Sequence, residues 1–311
     1  METQFTIGHY TDLNNITGCS VILCPPDTIA SCYISGSAPG SREIALLSPE
    51  RKIQTIHAVL LTGGSAFGLN AAGGVMTFLE EKGFGYVTGF GVVPIVPAAV
   101  IYDLNIGNAS IRPLAENAYQ ACTEANDNFN IQGCIGVGTG ATIGKWAGIA
   151  NAMKGGLGTA TVTMDKIKVT AVSVVNSVGD IIDENGKVIA GALNQKGQLI
   201  AETDLTRRWQ VPQVGFTQNT LLAVIITNTR LSKLETYIVS KRAQYGLARA
   251  IIPTSTSYDG DVIFALASGN ETADIDLISE MGAEALRQSV ISGTKSADNL
   301  GGHMAYRELK K

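Results

Sequence analysis

Histidine, aromatic side chains and charge are all scarce in this chain: 3 His, 6% aromatics and 16% charged residues among 311. With only His9, His57 and His303, a Ser-His-Asp relay finds no supporting spacing, and ordinary structural or surface roles are expected for all three. No His/Asp/Glu cluster has metal-ligand spacing, so no metal is expected. Charge is nearly balanced, 23 basic against 27 acidic residues for a net −4, and no basic run appears. That leaves no electrostatic footprint for a phosphate backbone, which excludes nucleic acid as an expected partner. The five cysteines (Cys19, Cys24, Cys32, Cys122, Cys134) are odd in number and never spaced C-x-x-C, which speaks against a disulfide framework and a zinc knuckle. A reducing, cytoplasmic setting follows as an expectation. No apolar run reaches bilayer length unbroken, and "METQFTIGHYTDL" has no basic start followed by an apolar segment, so neither membrane insertion nor secretion is expected.

What is abundant is small and apolar. Hydrophobic residues make up 45% of the chain and glycine contributes 35 positions, so the core must be filled by Ala, Val, Ile and Leu with many close backbone approaches. "HAVLLTGGSAFGLNAAGGVMTFLEEKG" predicts a strand over His57 to Leu61, a glycine turn with Ser65 as helix N-cap, and an Ala-rich helix stopped at Gly83. Asn185-Gly186 predicts a tight hairpin between two strands of "KVTAVSVVNSVGDIIDENGKVIAGAL". "SKLETYIVSKRAQYGLARAI" and "DIDLISEMGAEALRQSVISG" predict amphipathic helices. No linker, repeat or low-complexity stretch divides the chain, which predicts one domain of mixed α+β type over residues 1–311.

Several tempting motifs fail. "GGSAFG" around Ser65 needs glycine where Phe67 stands to be a nucleophile elbow. "GVGTGATIGKW" needs glycine at Thr139 and a hydroxyl residue at Trp146 to be a phosphate-binding loop. The same stretch fits G-x-G-x-x-A through Gly136, Gly138 and Ala141, but no acidic residue follows at a strand end about twenty positions on to bind a ribose. No cofactor is therefore expected.

The step from Asn219 and Thr220 into the β-branched run "LLAVIITN" is different, because it puts a hydroxyl at the mouth of a core strand. Taken locally, it is an ordinary turn-to-strand boundary. If the Asn219–Thr220 bond were cut by the Thr hydroxyl, however, Thr220 would become an N-terminus whose own α-amine could serve as base, a nucleophile unit needing no histidine. Four further residues suit such chemistry. Asp259 and Asp261 are spaced to share one face if extended, Asn176 carries an amide among apolar neighbours, and Lys145 follows a glycine-rich turn. Each also has a plain reading: a turn, a backbone-bonded Asn, a solvated Lys.

Nine blocks in order, "GHYTD" with "TGCSVIL", "SGSAPGSRE", "HAVLLTGGSAFGLNAAGGVM", "VPIVPAAVIYDL", "GTGATIGK", "KGGLGTA", "VVNSVGD", "NTLLAVIITN" and "GLARAIIPTSTSYDGDVIFALASG", make the chain resemble the DmpA-like self-processing aminopeptidases and nylon-oligomer hydrolases over nearly its whole length. The resemblance implies an α-β-β-α sandwich of N-terminal-nucleophile type and self-cleavage at Asn219–Thr220 into fragments 1–219 and 220–311. It also implies Thr220 as nucleophile, Asn176 as oxyanion donor, and Lys145 with Asp259 and Asp261 as the network that positions the nucleophile and its proton. Asp259-Gly260-Asp261 stands where Ser-dependent members often carry Ser-x-Glu, so the site looks closer to the 6-aminohexanoate-oligomer hydrolases. Leu221 departs from the small residue common at that position. The implied substrate is a small peptide, an amino-acid amide or an amide oligomer, and the implied assembly is a homotetramer of processed pairs. An acyltransferase of the ornithine acetyltransferase type, and a binding protein with a decayed site, are the rival readings.

Overall fold

The computed structural model describes residues 4–203 and 219–309; Gln218 and the chain ends lie outside the described residues. The run after Thr220 forms the strand Leu222–Thr229, buried at seven of its eight residues. A strand buried at nearly every position, rather than every second one, must be covered on both faces. It lies in the middle of a five-stranded sheet ordered Leu157–Met164, Ile167–Val174, Leu222–Thr229, Val262–Glu271, Ile29–Ile34. A second five-stranded sheet is ordered Thr6–Asp12, Thr17–Leu23, Ala58–Thr62, Ala98–Val100, Ser41–Arg42.

The two sheets face each other through Val172, Val174, Leu222, Val224, Phe264 and Leu266 on one side and Ile22, Val59, Leu61 and Ala99 on the other. The outer face of the first sheet, Ala171, Ala223, Ile225 and Ile263, is covered by the helices Lys233–Ala248 and Ile275–Ser296 through Val239, Ala243, Leu286 and Val290. Val21, Leu60 and Ala98 of the second sheet bury against the helices Ala72–Glu81 and Ala115–Thr123 through Val75, Leu79, Ala118 and Ala121. The result is the four-layer α-β-β-α sandwich. Its central strand, Leu222–Thr229, pairs antiparallel with Ile167–Val174 and parallel with Val262–Glu271, and the Lys233–Ala248 helix lies in the crossover between the parallel partners.

Local chemistry explains several element boundaries. Ser232 and Glu235 form a reciprocal capping box at the start of the Lys233–Ala248 helix. Asp274 caps the Ile275–Ser296 helix by accepting from the Asp276 and Leu277 N–H groups. Asn185-Gly186 turns the hairpin between Asp180–Ile182 and Val188–Ala190, with Gly186 at φ +75°. Ser65 is not the expected N-cap: it opens a 3₁₀ turn, Ser65–Ala71, at φ +53° and makes no side-chain cap. The turn is set instead by Gly64, at φ +82°, whose N–H is held by Asp103.

Small residues let the long helix approach the sheet. A Cβ at Gly158 would fall 2.0 Å from the Ser289 carbonyl oxygen and 2.4 Å from the Gly293 nitrogen, both backbone atoms of the Ile275–Ser296 helix. Backbone cannot rotate out of the way, so Gly158→Ala is expected to cost about 1–3 kcal/mol through overpacking. A lowered midpoint in guanidinium unfolding is the expected result, and an unchanged midpoint would contradict this packing account.

Candidate active site

Strand register assembles the site. Leu222 is paired with Val174 on one side and Val262 on the other. Continuing both registers two residues towards the start of the strand puts Thr220 between Asn176 and Gly260. The hydrogen bonds follow that geometry. The Thr220 N–H donates to the Asn176 main-chain oxygen at 3.2 Å, and the Gly260 N–H donates to the Asn219 oxygen at 2.7 Å. Asn219 bridges Asp259 in parallel, and its own N–H donates to the Tyr258 oxygen at 3.2 Å. The peptide joining Asn219 to Thr220 is thus held from both sides of the sheet, with Asn219 and Thr220 only 1% and 5% exposed.

Asp259 and Asp261 flank Gly260 on the approach to the Val262–Glu271 strand, where the parallel pairing continues: Asp259 bridges Asn219 and the Val262 N–H donates to the Leu221 oxygen at 3.1 Å. Each is fixed by short-range donors. Asp261 accepts from the Leu221 N–H at 2.8 Å through one carboxylate oxygen and from the Ser255 hydroxyl at 3.2 Å through the other. Asp259 accepts from both the N–H and the hydroxyl of Thr256, each at 2.8 Å. The "SGSAPG" segment runs alongside: Ser35 and Gly36 donate to the Asp261 main-chain oxygen and Ala38 to that of Asp259. Gly260 has no room for a side chain, because a Cβ there would meet the Ala38 oxygen at 2.4 Å and the Thr220 Oγ1 at 2.9 Å.

Lys145 is not solvated, as a lone lysine usually is; it is fully buried. Gly144, at φ +76°, turns the chain tightly against Gly191 and Ala192, and the 144–146 segment pairs with 178–179 through Gly144 N–H to Gly179 and Trp146 N–H to Val178. The Lys145 ammonium donates to the Asn176 Oδ1 at 2.6 Å, and that oxygen also accepts from the Thr142 N–H at 3.1 Å. Because Oδ1 is the acceptor, the Asn176 Nδ2 is left as a donor; it is buried and makes no hydrogen bond with the described residues. The Trp146 indole donates to the Asp180 carboxylate at 2.8 Å, locking the turn beside Lys145.

The electrostatics follow from burial. Desolvation brings the Lys145 ammonium down to about 7, opposed by the Asp259, Asp103 and Asp261 carboxylates and assisted by the nearby cation of Lys154. Lys154, in a cage of Gly138, Ala141 and Gly155 carbonyls, is itself brought down to about 8 by burial. Burial raises Asp261, and the Asp259 charge raises it further; Asp259 is raised by burial too, against its Thr256 hydrogen bonds and the Lys145 charge. Two titratable partners with values pushed towards neutrality from opposite sides suit proton transfer at neutral pH.

The register therefore gathers Thr220, Asn176, Lys145, Asp259 and Asp261 into one place. Ser255, Thr256, Ser35 and the Gly260 amide join them unannounced by the sequence; the only local sign was a run of hydroxyl residues, "TSTSYDGD", ahead of a strand. The three histidines take structural roles: His9 meets the Ser20 hydroxyl, His57 accepts from the Ile95 N–H, and His303 meets the Ala152 oxygen. All five cysteines are free thiols. Among the described residues no cluster of His, Cys, Asp or Glu could hold a metal, and no helix is long and apolar enough to cross a membrane. A surface cavity of about 520 Å³, lined by Thr6, Cys24, Phe78 and Cys122 among others, contains none of the assembled groups.

The α-β-β-α sandwich is the N-terminal-nucleophile hydrolase fold, shared with solved aminopeptidase structures. The L-aminopeptidase D-Ala-esterase/amidase of Ochrobactrum anthropi, a variant of that fold, superposes with a TM-score of 0.74 over 98% of this chain and 90% of its own, at 16% identity. The chain belongs to peptidase family S58, whose model matches residues 4–306. It is 40% identical to an uncharacterized aminopeptidase of Mycobacterium leprae over 96% of this chain and 90% of that one. It is 32% identical to the 6-aminohexanoate-oligomer endohydrolase of an Agromyces strain, over 75% of this chain and 65% of that one. The protein is a peptidase or amidohydrolase.

Proposed function

We propose that this peptidase cleaves its own Asn219–Thr220 bond and then hydrolyses amino-acid amides, peptides or ω-amino-acid oligomers with Thr220 as an N-terminal nucleophile. The observation that carries the reading is the placement of the Asn219–Thr220 peptide between Asn176 and Asp259-Gly260-Asp261 at the mouth of a rigid core strand. A nucleophile at the fixed end of a buried strand is pre-organised, so little freedom is lost on reaching the transition state.

After scission the Thr220 α-amine takes the hydroxyl proton as Thr220 attacks the substrate carbonyl, and the free Asn176 Nδ2 donates to the oxyanion. The leaving amine departs with a proton, and water then attacks the Thr220 ester, with the α-amine again as base. Lys145 holds the Asn176 amide in the orientation that points Nδ2, not Oδ1, at the substrate, since Oδ1 is already taken by the ammonium. The kinship to a 6-aminohexanoate-oligomer endohydrolase and the Asp-Gly-Asp pattern favour ω-amino-acid oligomers as substrate. The greater identity to a chain named as an aminopeptidase favours amino-acid amides and short peptides. Incubation with capped and uncapped α-peptides, β-peptides and 6-aminohexanoate oligomers, followed by mass spectrometry of the products, tests the function and ranks the substrates. Hydrolysis products without any added acceptor amine are expected. Turnover that appears only when an acceptor amine is supplied would replace hydrolysis with acyl transfer.

Self-scission itself has a pH signature. Before cleavage no α-amine exists at Thr220, so the proton must go to the Lys145 and aspartate network. Lys145, at about 7, is mostly charged below that value and mostly neutral above it, and Asp261, raised from its usual range, also becomes a better acceptor as pH rises. The scission rate of freshly made chain is therefore expected to climb with pH through about 7 and level off above it. A rate that falls over the same window would rule out this network as the proton acceptor.

A further inference from the structure

We propose that the main-chain N–H of Gly260 is the oxyanion donor for self-scission, a role distinct from that of Asn176, and that the cut exposes the same donor for substrate. The inference rests on the reading that Thr220 attacks the preceding carbonyl. The oxygen that would carry the negative charge in that attack is the Asn219 oxygen, and its partner is the Gly260 N–H at 2.7 Å. Asn176 gives that peptide a carbonyl, accepting the Thr220 N–H, while its Nδ2 makes no bond with the described residues. One donor is thus engaged in the uncleaved chain and the other is idle.

The step balances without any outside reagent except water. Thr220 Oγ1 bonds to the Asn219 carbonyl carbon and passes its proton to the Lys145 and aspartate network, while the carbonyl electron pair moves onto the oxygen held by Gly260. Collapse breaks the Asn219 C–Thr220 N bond, and the nitrogen recovers the proton as an amine. Water then splits the resulting ester into the Asn219 carboxylic acid and the free Thr220 hydroxyl. A main-chain donor suits this job because it cannot swing away, and the absence of a Cβ at 260 is what leaves space for Thr220 Oγ1, 2.9 Å from where that atom would be. Once residue 219 withdraws, the Gly260 N–H loses its partner and faces the acyl position that a substrate carbonyl fills.

The direct test replaces Gly260 with glycolate by nonsense suppression, turning that amide into an ester that lacks the N–H but adds no bulk. Glycolate at Gly89, in an exposed turn, controls for the chemistry of incorporation. Fragment appearance in the glycolate-260 chain is expected to slow by about a hundred- to a thousandfold, the usual consequence of losing one oxyanion donor. Scission at the unmodified rate would overturn the proposal. Should the glycolate-260 chain not fold, hydrogen exchange of the peptide spanning residues 258–262 decides, measured on cleaved wild type and on Thr220→Ala. At least tenfold faster exchange at Gly260 in the cleaved protein, slowed again by a peptide-aldehyde inhibitor, supports the role; equal exchange in all three states overturns it. A Thr220→Ala chain that still cleaves at the same bond would instead defeat the reading beneath the proposal, so the two failures are told apart.

Discussion

Thr220→Ala is expected to remain a single uncut chain with no amide hydrolysis above background. Two independent losses converge on this substitution. It removes the oxygen that attacks the Asn219 carbonyl, and with no cut there is no α-amine to act as base on any substrate. The fold should survive, because three bonds that fix this position do not use the Thr220 side chain: Thr220 N–H to the Asn176 main-chain oxygen, Leu221 N–H to the Asp261 carboxylate, and Gly260 N–H to the Asn219 oxygen. An unfolding midpoint close to that of wild type, together with complete loss of both cutting and turnover, would separate chemical loss from structural collapse. Thr220→Ser, which keeps a hydroxyl, is expected to cut itself. Residual hydrolysis by Thr220→Ala would mean that the nucleophile lies elsewhere.

Asn176→Ala is expected to lower turnover by about a hundred- to a thousandfold, the range for removing an oxyanion donor from an acyl-transfer site. The loss should fall mainly on kcat, since the donor matters most when charge develops on the substrate oxygen. The substitution also has a structural cost, because the Asn176 Oδ1 accepts from the buried Lys145 ammonium and from the Thr142 N–H. Leaving a buried donor without its acceptor costs about 1–3 kcal/mol, and more when the donor is charged. Lower stability and lower kcat are thus expected together. Asn176→Ala with full turnover would remove Asn176 from the chemistry and leave it as the residue that orients Lys145.

Much of this arrangement was legible in the sequence, for reasons that differ by residue. The α+β class followed from glycine punctuation and two amphipathic helices, and the layer order followed from the nine blocks shared with a known family. Position 220 stood out because a hydroxyl preceding the apolar run of residues 221–226 is chemically suggestive even when it is statistically ordinary. Lys145 and Asn176 were less visible. Their roles depend on the 144–146 turn pairing with 178–179 and on the antiparallel register of Ile167–Val174, contacts between segments some thirty residues or more apart that no local pattern encodes. The aspartates lie on a segment that pairs in parallel with residues 219–222, but their partners Ser255, Thr256 and the Leu221 N–H are contacts that the i, i+2 spacing does not encode. Gly260 carries no signal of its own in the sequence, since an amide hydrogen is carried by every residue except proline and only parallel pairing shows which one meets the Asn219 oxygen. Ser65 was misread because an N-cap and the start of a 3₁₀ turn share the same Gly-Gly-Ser sequence signal.

The central claim is a backbone cut that makes residue 220 a chain end, and intact-mass and N-terminal analysis of the purified protein tests it most directly. The account predicts two polypeptides held together in the native state, the smaller beginning at Thr220 and the larger ending at Asn219. A hydrolytically active preparation consisting only of the uncut chain, or of fragments divided at another bond, would contradict it.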